Sequence, residues 1–133
     1  VKPGNHIMQP QEISEKVITE GLVKLGLLDG DPEELHKSGA YKEFYMHKIG
    51  HWLGLDVHDA GDYVEREEYM KFKPGMITTI EPGIYISSSM DIDDKWKGIG
   101  IRIEDDILVT KDGNENLTKK VPSDPEEIES LMS

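Results

Sequence analysis

Cysteine is absent from the 133-residue chain. That excludes disulfide staples and thiolate-bound zinc alike, and a reducing, cytoplasmic setting is expected. Positive charge is also short: 15 lysines and arginines stand against 27 aspartates and glutamates, a formal net charge of −12. Nucleic-acid binding draws most of its affinity from a basic surface, and anionic membranes attract basic segments, so neither is an expected partner. No apolar run approaches the ~20 residues of a bilayer-spanning helix, and no leader pattern opens the sequence. Hydrophobic residues make up only 36% of the total, enough for one domain with a modest core. The chain opens at Val1-Lys2-Pro3-Gly4, as expected of the interior of a larger protein or of a processed product.

Helical periodicity is confined to the first third. From Gln11 onward Ile13, Val17, Ile18, Leu22 and Leu25 recur at helical spacing, which predicts a helix with an apolar face, closed by Gly26 and Asp29-Gly30. Asp31-Pro32-Glu33-Glu34 reads as the start of a short second helix ending near Gly39: a side-chain cap, a proline in the first turn, and acidic residues on the positive end of the dipole. Pro74-Gly75 is a turn, Met76 to Ile80 a strand leading to Glu81, and Ile84-Tyr85-Ile86 an extended piece beyond the break at Pro82-Gly83. Gly98 to Thr110 is expected to alternate as one strand. Ile99, Ile101 and Ile103 share one face, with Arg102, Glu104 and Asp106 on the other, and the isoleucines around Glu104 indicate burial. Asp112-Gly113 turns the chain toward Leu117-Thr118, and Asp124-Pro125 caps a last helix with Ile128, Leu131 and Met132. The acidic runs Glu65 to Glu68 and Asp91 to Asp94 are expected to be solvated loops. Helices first, then hairpin-connected strands, predict an α+β fold with a curved antiparallel sheet.

Three histidines, His47, His51 and His58, fall within the glycine-punctuated stretch Met46 to Gly61. A four-residue spacing puts His47 and His51 on one face of a helix, but Gly50 and Gly54 argue for a loop running into a strand. Two later motifs, Thr79-Ile80-Glu81-Pro82-Gly83 and Ile101-Arg102-Ile103-Glu104-Asp105-Asp106, each offer a glutamate in a strand-like setting. A buried glutamate needs a partner, a proton or a metal. Locally, Glu81 also reads as an edge residue at a turn, and an Arg102–Glu104 salt bridge along the strand explains that pair equally well. Taken together, His51, Glu81 and Glu104 form a nitrogen-and-carboxylate set suited to manganese, cobalt, iron or zinc rather than magnesium. His6 and His36 lack such company and are assigned no role.

At these residues the chain resembles the metal-dependent peptidases of the pita-bread fold, and within them the bacterial Xaa-Pro aminopeptidases. The matching segments are H-x-x-x-H-W-L-G-L-D-V-H-D, P-G-M-x-x-T-I-E-P-G-x-Y-I, G-I-G-I-R-I-E-D-D and G-N-E-N-L-T, in order along nearly the whole chain. The resemblance implies a dinuclear, usually manganese, site that hydrolyses the bond between an N-terminal residue and a following proline. It implies His51, Glu81 and Glu104 as metal ligands, Glu104 bridging both ions. His47 and His58 would bind substrate and shuttle protons, Tyr85 would line the substrate site, and Arg102 would orient its hydrogen bonds. His47, His58, Glu81 and Arg102 make up the implied catalytic set. Prolidase, which cleaves dipeptides, and a degenerate, non-catalytic binding module are the competing readings.

Two departures stand out. Lys48 replaces the family's usual glycine after the first histidine, and the family's two aspartate ligands would lie before Val1. Residues 1–133 are therefore expected to be the C-terminal half of the pita-bread domain, binding one ion weakly, with little peptidase activity alone. Half a sheet leaves apolar surface and strand edges open, so self-association is expected.

Overall fold

A proline one or two residues into a helix loses no hydrogen bond, since the first N–H groups have no intrahelical acceptor. Pro10 accordingly sits in the first turn of α1 (Gln9–Lys24), which begins two residues before the predicted start. The computed structural model describes all of residues 1–133. Asp31 caps α2 (Pro32–Ser38) as predicted, its Oδ1 accepting from the Glu33 and Glu34 amides at 3.0 and 3.1 Å. Gly39 ends that helix in the left-handed conformation, φ +76°.

The apolar face of α1 is split. Ile18 and Leu22 are buried with Tyr41, Phe44, Tyr45 and Ile86 in one core cluster. Ile13 and Val17, expected on that same face, are 56% and 62% exposed. They line a groove of about 510 Å³ together with Pro10, Ile80, Pro82 and Ile107. The helix thus carries apolar residues on two sides, and this chain covers only one of them. A second, smaller cluster gathers Ile7, Trp52, Phe72 and Val109. No helix is long and apolar enough to cross a membrane.

Strands follow the helices, all antiparallel. The Glu65–Glu68 region is exposed as expected, yet it forms a tight hairpin of β1 (Val64–Glu65) and β2 (Glu68–Tyr69), with Arg66 and Glu67 at positive φ. β3 is Ile77–Ile80 and β4 is Gly83–Tyr85. The predicted single strand from Gly98 to Thr110 is two strands, β5 (Gly100–Arg102) and β6 (Asp105–Val109), in different sheets. β5 pairs with β4, while β6 lies between β3 and β7 (Asn114–Asn116). The physical reason is a shared corner. Pro82 breaks the first ribbon between β3 and β4, and the partner ribbon breaks opposite it, with the Ile103 amide donating to the Pro82 carbonyl at 3.2 Å. Glu81 and Glu104 both stand at this corner. The break also leaves Ile101 and Ile103 exposed, correcting the expectation that the isoleucines around Glu104 are buried. Asp124 caps the last helix, α3 (Pro125–Met132), which buries none of its residues.

Burial pushes the Tyr41 hydroxyl up to about 12, with the Glu15 carboxylate adding to the effect. A phenol whose folded pKa exceeds its unfolded value keeps its proton in the native state after the unfolded chain has lost it. Its contribution to stability is therefore complete below about pH 10 and drains away as pH rises toward 12. Urea unfolding between pH 9 and pH 12 should show this decline, and Tyr41→Phe should flatten it; an unchanged slope in the variant would assign the decline to other groups.

Candidate metal centre

His51 is delivered by an extended segment that pairs with β3 without regular ladder geometry. The amides of Thr79 and Glu81 donate to the carbonyls of His51 and Ile49 at 3.0 and 2.7 Å, and the Leu53 amide donates to Ile77 at 3.1 Å. Gly50 makes this approach possible, because a β-carbon there would lie 1.9 Å from the Thr79 carbonyl oxygen. From the other side, the buried Gln11 of α1 accepts the Ile49 amide through Oε1 and donates from Nε2 to Glu15 at 2.9 Å. The expected loop running into a strand is thereby held between a sheet edge and a helix.

His51, Glu81 and Glu104 converge: one donor atom from each lies within 4.8 Å of the other two. His51 Nδ1 lies 3.0 Å from the Trp52 carbonyl, which can only accept, so Nδ1 carries a proton. In the neutral ring Nε2 then bears a lone pair, and it faces Glu81 Oε1 at 3.3 Å. Two electron-pair donors at that separation repel unless positive charge lies between them. A backbone carbonyl behind the imidazole is also the usual support of a metal-binding histidine. The donor set thus fits a divalent cation of borderline hardness.

Glu81 is buried, only 7% exposed, rather than an edge residue. Its Oε1 accepts from the Thr79 hydroxyl at 2.9 Å and its Oε2 from Arg102 Nη1 at 3.0 Å. Arg102 therefore takes Glu81 as its ion-pair partner, not Glu104 as the sequence allowed. Glu104 is exposed, contrary to expectation, because it stands in the break between β5 and β6, outside either strand. Arg102 Nε also donates to the Tyr85 hydroxyl at 2.6 Å. That bond, with lesser help from the Glu81 and Glu104 charges, holds the guanidinium above its ordinary pKa against the opposing effect of burial.

From Tyr85 the bonds run on. Its hydroxyl lies 3.1 Å from His47 Nε2, and His47 Nδ1 lies 2.7 Å from the Lys48 carbonyl. The carbonyl fixes the proton on Nδ1, so in the neutral ring Nε2 accepts from Tyr85. Lys48 thus serves through its backbone, and its side chain is exposed. His58 is exposed as well, its ring edge-on to His51 with centroids 4.2 Å apart. His47, His51, His58, Glu81 and Arg102 line one cavity of about 580 Å³ with Trp52 at its wall, a volume suited to a small peptide or similar ligand. The sequence reading missed Thr79 and Gln11. For Thr79 the signal was its place two residues before Glu81 on one strand face; for Gln11 no local signal existed.

The family described as metallopeptidase family M24 matches residues 1–111. The chain belongs to that family. Over 131 residues it is 48% identical to the Xaa-Pro aminopeptidase of Escherichia coli (strain K12) and 49% identical to that of Haemophilus influenzae; each match covers 98% of this chain. The structure superposes on aminopeptidase PepP of Pseudomonas aeruginosa with a TM-score of 0.96 at 53% identity, covering 99% of this chain and 30% of that one. On E. coli aminopeptidase P with the inhibitor Pro-Leu the TM-score is 0.91 at 48% identity, covering 98% and 30%. The chain spans 30% of the length of the two curated relatives. Its fold class is the expected one, α+β of the aminopeptidase P type.

Proposed function

We propose that residues 1–133 form part of a metal-dependent Xaa-Pro aminopeptidase, removing an N-terminal residue that precedes proline. The observation that carries this reading is the convergence of His51, Glu81 and Glu104 within 4.8 Å, in a chain about half identical to named Xaa-Pro aminopeptidases. His51, Glu81 and Glu104 would hold the cation, manganese by the family resemblance, with two ions in a complete site. A divalent cation here would supply a Lewis acid that polarises the scissile carbonyl and lowers the pKa of water.

The remaining side chains act around that centre. By the family resemblance Glu81, with Oε2 held by Arg102, would exchange a proton at Oε1 when the cation does not claim that oxygen. The Tyr85 hydroxyl holds His47 through Nε2, and by the family resemblance His47 and His58, which both line the cavity, would hold the peptide and move protons. Arg102 pairs directly with Glu81 and orients Tyr85 with the same guanidinium. A cytoplasmic location belongs to the same proposal, with cell fractionation as its check.

Manganese should raise the melting temperature of the 133-residue chain with the logarithm of its concentration above Kd, a stabilisation of about 1.4 kcal/mol at ten times Kd. Binding should be weak and involve one ion. These residues alone should turn over a peptide with proline second only slightly, and the same residues in a chain carrying two further aspartate ligands should turn it over well. A dipeptide-only substrate range would instead indicate prolidase action, and manganese binding without turnover in the longer chain a non-catalytic module. Robust turnover by residues 1–133 alone would contradict the ligand count. Sedimentation of the same samples should show concentration-dependent self-association through the open apolar groove beside Ile13 and Val17; a monomer at all concentrations would end that part.

A further inference from the structure

We infer that Thr79 is a positioning residue of the cation site, its single hydroxyl locking His51 and Glu81 into one binding geometry. The inference rests on the metal-centre reading of those two residues and adds a residue that touches neither cation nor substrate. The Thr79 side chain is among the most buried in the molecule, 1% exposed. Its Oγ1 accepts the His51 backbone amide at 3.0 Å and donates to Glu81 Oε1 at 2.9 Å.

A hydroxyl has one proton. With the amide occupying a lone pair, that proton is committed to the carboxylate. It goes to Oε1, the oxygen facing His51 Nε2 at 3.3 Å, and leaves Oε2 to Arg102. Thr79 therefore fixes the rotation of the Glu81 carboxylate about its last bond and the height of His51 above β3 at once. Serine retains both bonds, whereas valine fills the same volume and forms neither. The neighbouring Thr78 shows what a merely structural hydroxyl does here: its one proton is shared between the backbone carbonyls of His51 and Thr79, at 3.0 and 3.2 Å, and it bonds no ligand side chain.

Titration of the 133-residue protein with manganese alone, reading the free ion by electron paramagnetic resonance, separates these roles. Thr79→Val should bind manganese about 10- to 100-fold more weakly, the usual cost of losing an outer partner of a metal ligand. Thr79→Ser should stay within about threefold of the parent, since it keeps the support on which that factor depends. Equal affinity in the parent and a folded Thr79→Val would overturn the inference. Uptake of no manganese by the parent would overturn the metal centre itself, a different result.

Should Thr79→Val fail to fold, the unaltered protein still decides. The Thr79 hydroxyl proton should give a resolved resonance with slow exchange and a cross-relaxation peak to the His51 amide. Exchange as fast as that of a surface threonine would refute the proposed bond.

Discussion

Glu81→Gln should abolish measurable manganese binding, a loss of at least about 100-fold in affinity, at the upper end for groups that support or form a metal site. The expected size follows from where the carboxylate stands. It has a donor on each oxygen, Thr79 on Oε1 and Arg102 on Oε2, while Oε1 also faces the His51 lone pair. An amide can satisfy only one of those two donors with its oxygen. Its NH2 group then points at the other donor, and the negative charge is gone. Removing one partner of a fully buried ion pair costs about 3–5 kcal/mol. Arg102 is 43% exposed and can be rehydrated, so a stability loss of about 1–3 kcal/mol, the range for an unsatisfied buried group, is expected instead. Calorimetric titration and urea unfolding read the two effects separately. Affinity within threefold of the parent would remove Glu81 from the ligand set.

Gly50→Ala should cost still more stability. The added β-carbon would sit 1.9 Å from the Thr79 carbonyl oxygen and 2.7 Å from its carbon. Both are backbone atoms of β3, so no flexible side-chain end can yield. The segment and the strand would have to separate. That strains the bonds from Glu81 to Ile49 at 2.7 Å and from Thr79 to His51 at 3.0 Å. Overpacking costs about 1–3 kcal/mol, and each weakened hydrogen bond adds about 1 kcal/mol, for a total of about 3–5 kcal/mol. Because the displaced pieces carry His51 and Glu81, cation binding should fall with stability. A Gly50→Ala protein with the parent's unfolding midpoint would show that the close approach is not required.

Much of this site was legible in the sequence, for a physical reason. Imidazole and carboxylate side chains are few and chemically conspicuous, so His51, Glu81 and Glu104 could be picked out before their distances were known. Caps and turns were equally readable at Asp31, Asp124 and Asp112-Gly113, where a short polar side chain or glycine meets a local backbone need. The corner at Ile103-Glu104 was not. Ile99, Ile101 and Ile103 alternate right up to it, and the break stands opposite Pro82 on the partner ribbon, a pairing that no local pattern reveals. The two-sided character of α1 does follow from spacing, since five residues set Ile13 and Ile18 about 140° apart round the helix; which side this chain covers does not. Gln11 was invisible because its partner Ile49 lies 38 residues along the chain; for Thr79 the spacing to Glu81 was readable, but the bond to the His51 amide, 28 residues away, was not.

Anomalous diffraction from crystals of this protein soaked in manganese probes the central assignment most directly. One peak is expected at the corner of the two ribbons, bonded to His51 Nε2 and to carboxylate oxygens of both Glu81 and Glu104. A peak bonded to other residues, or none at that corner with manganese present in excess, would contradict it.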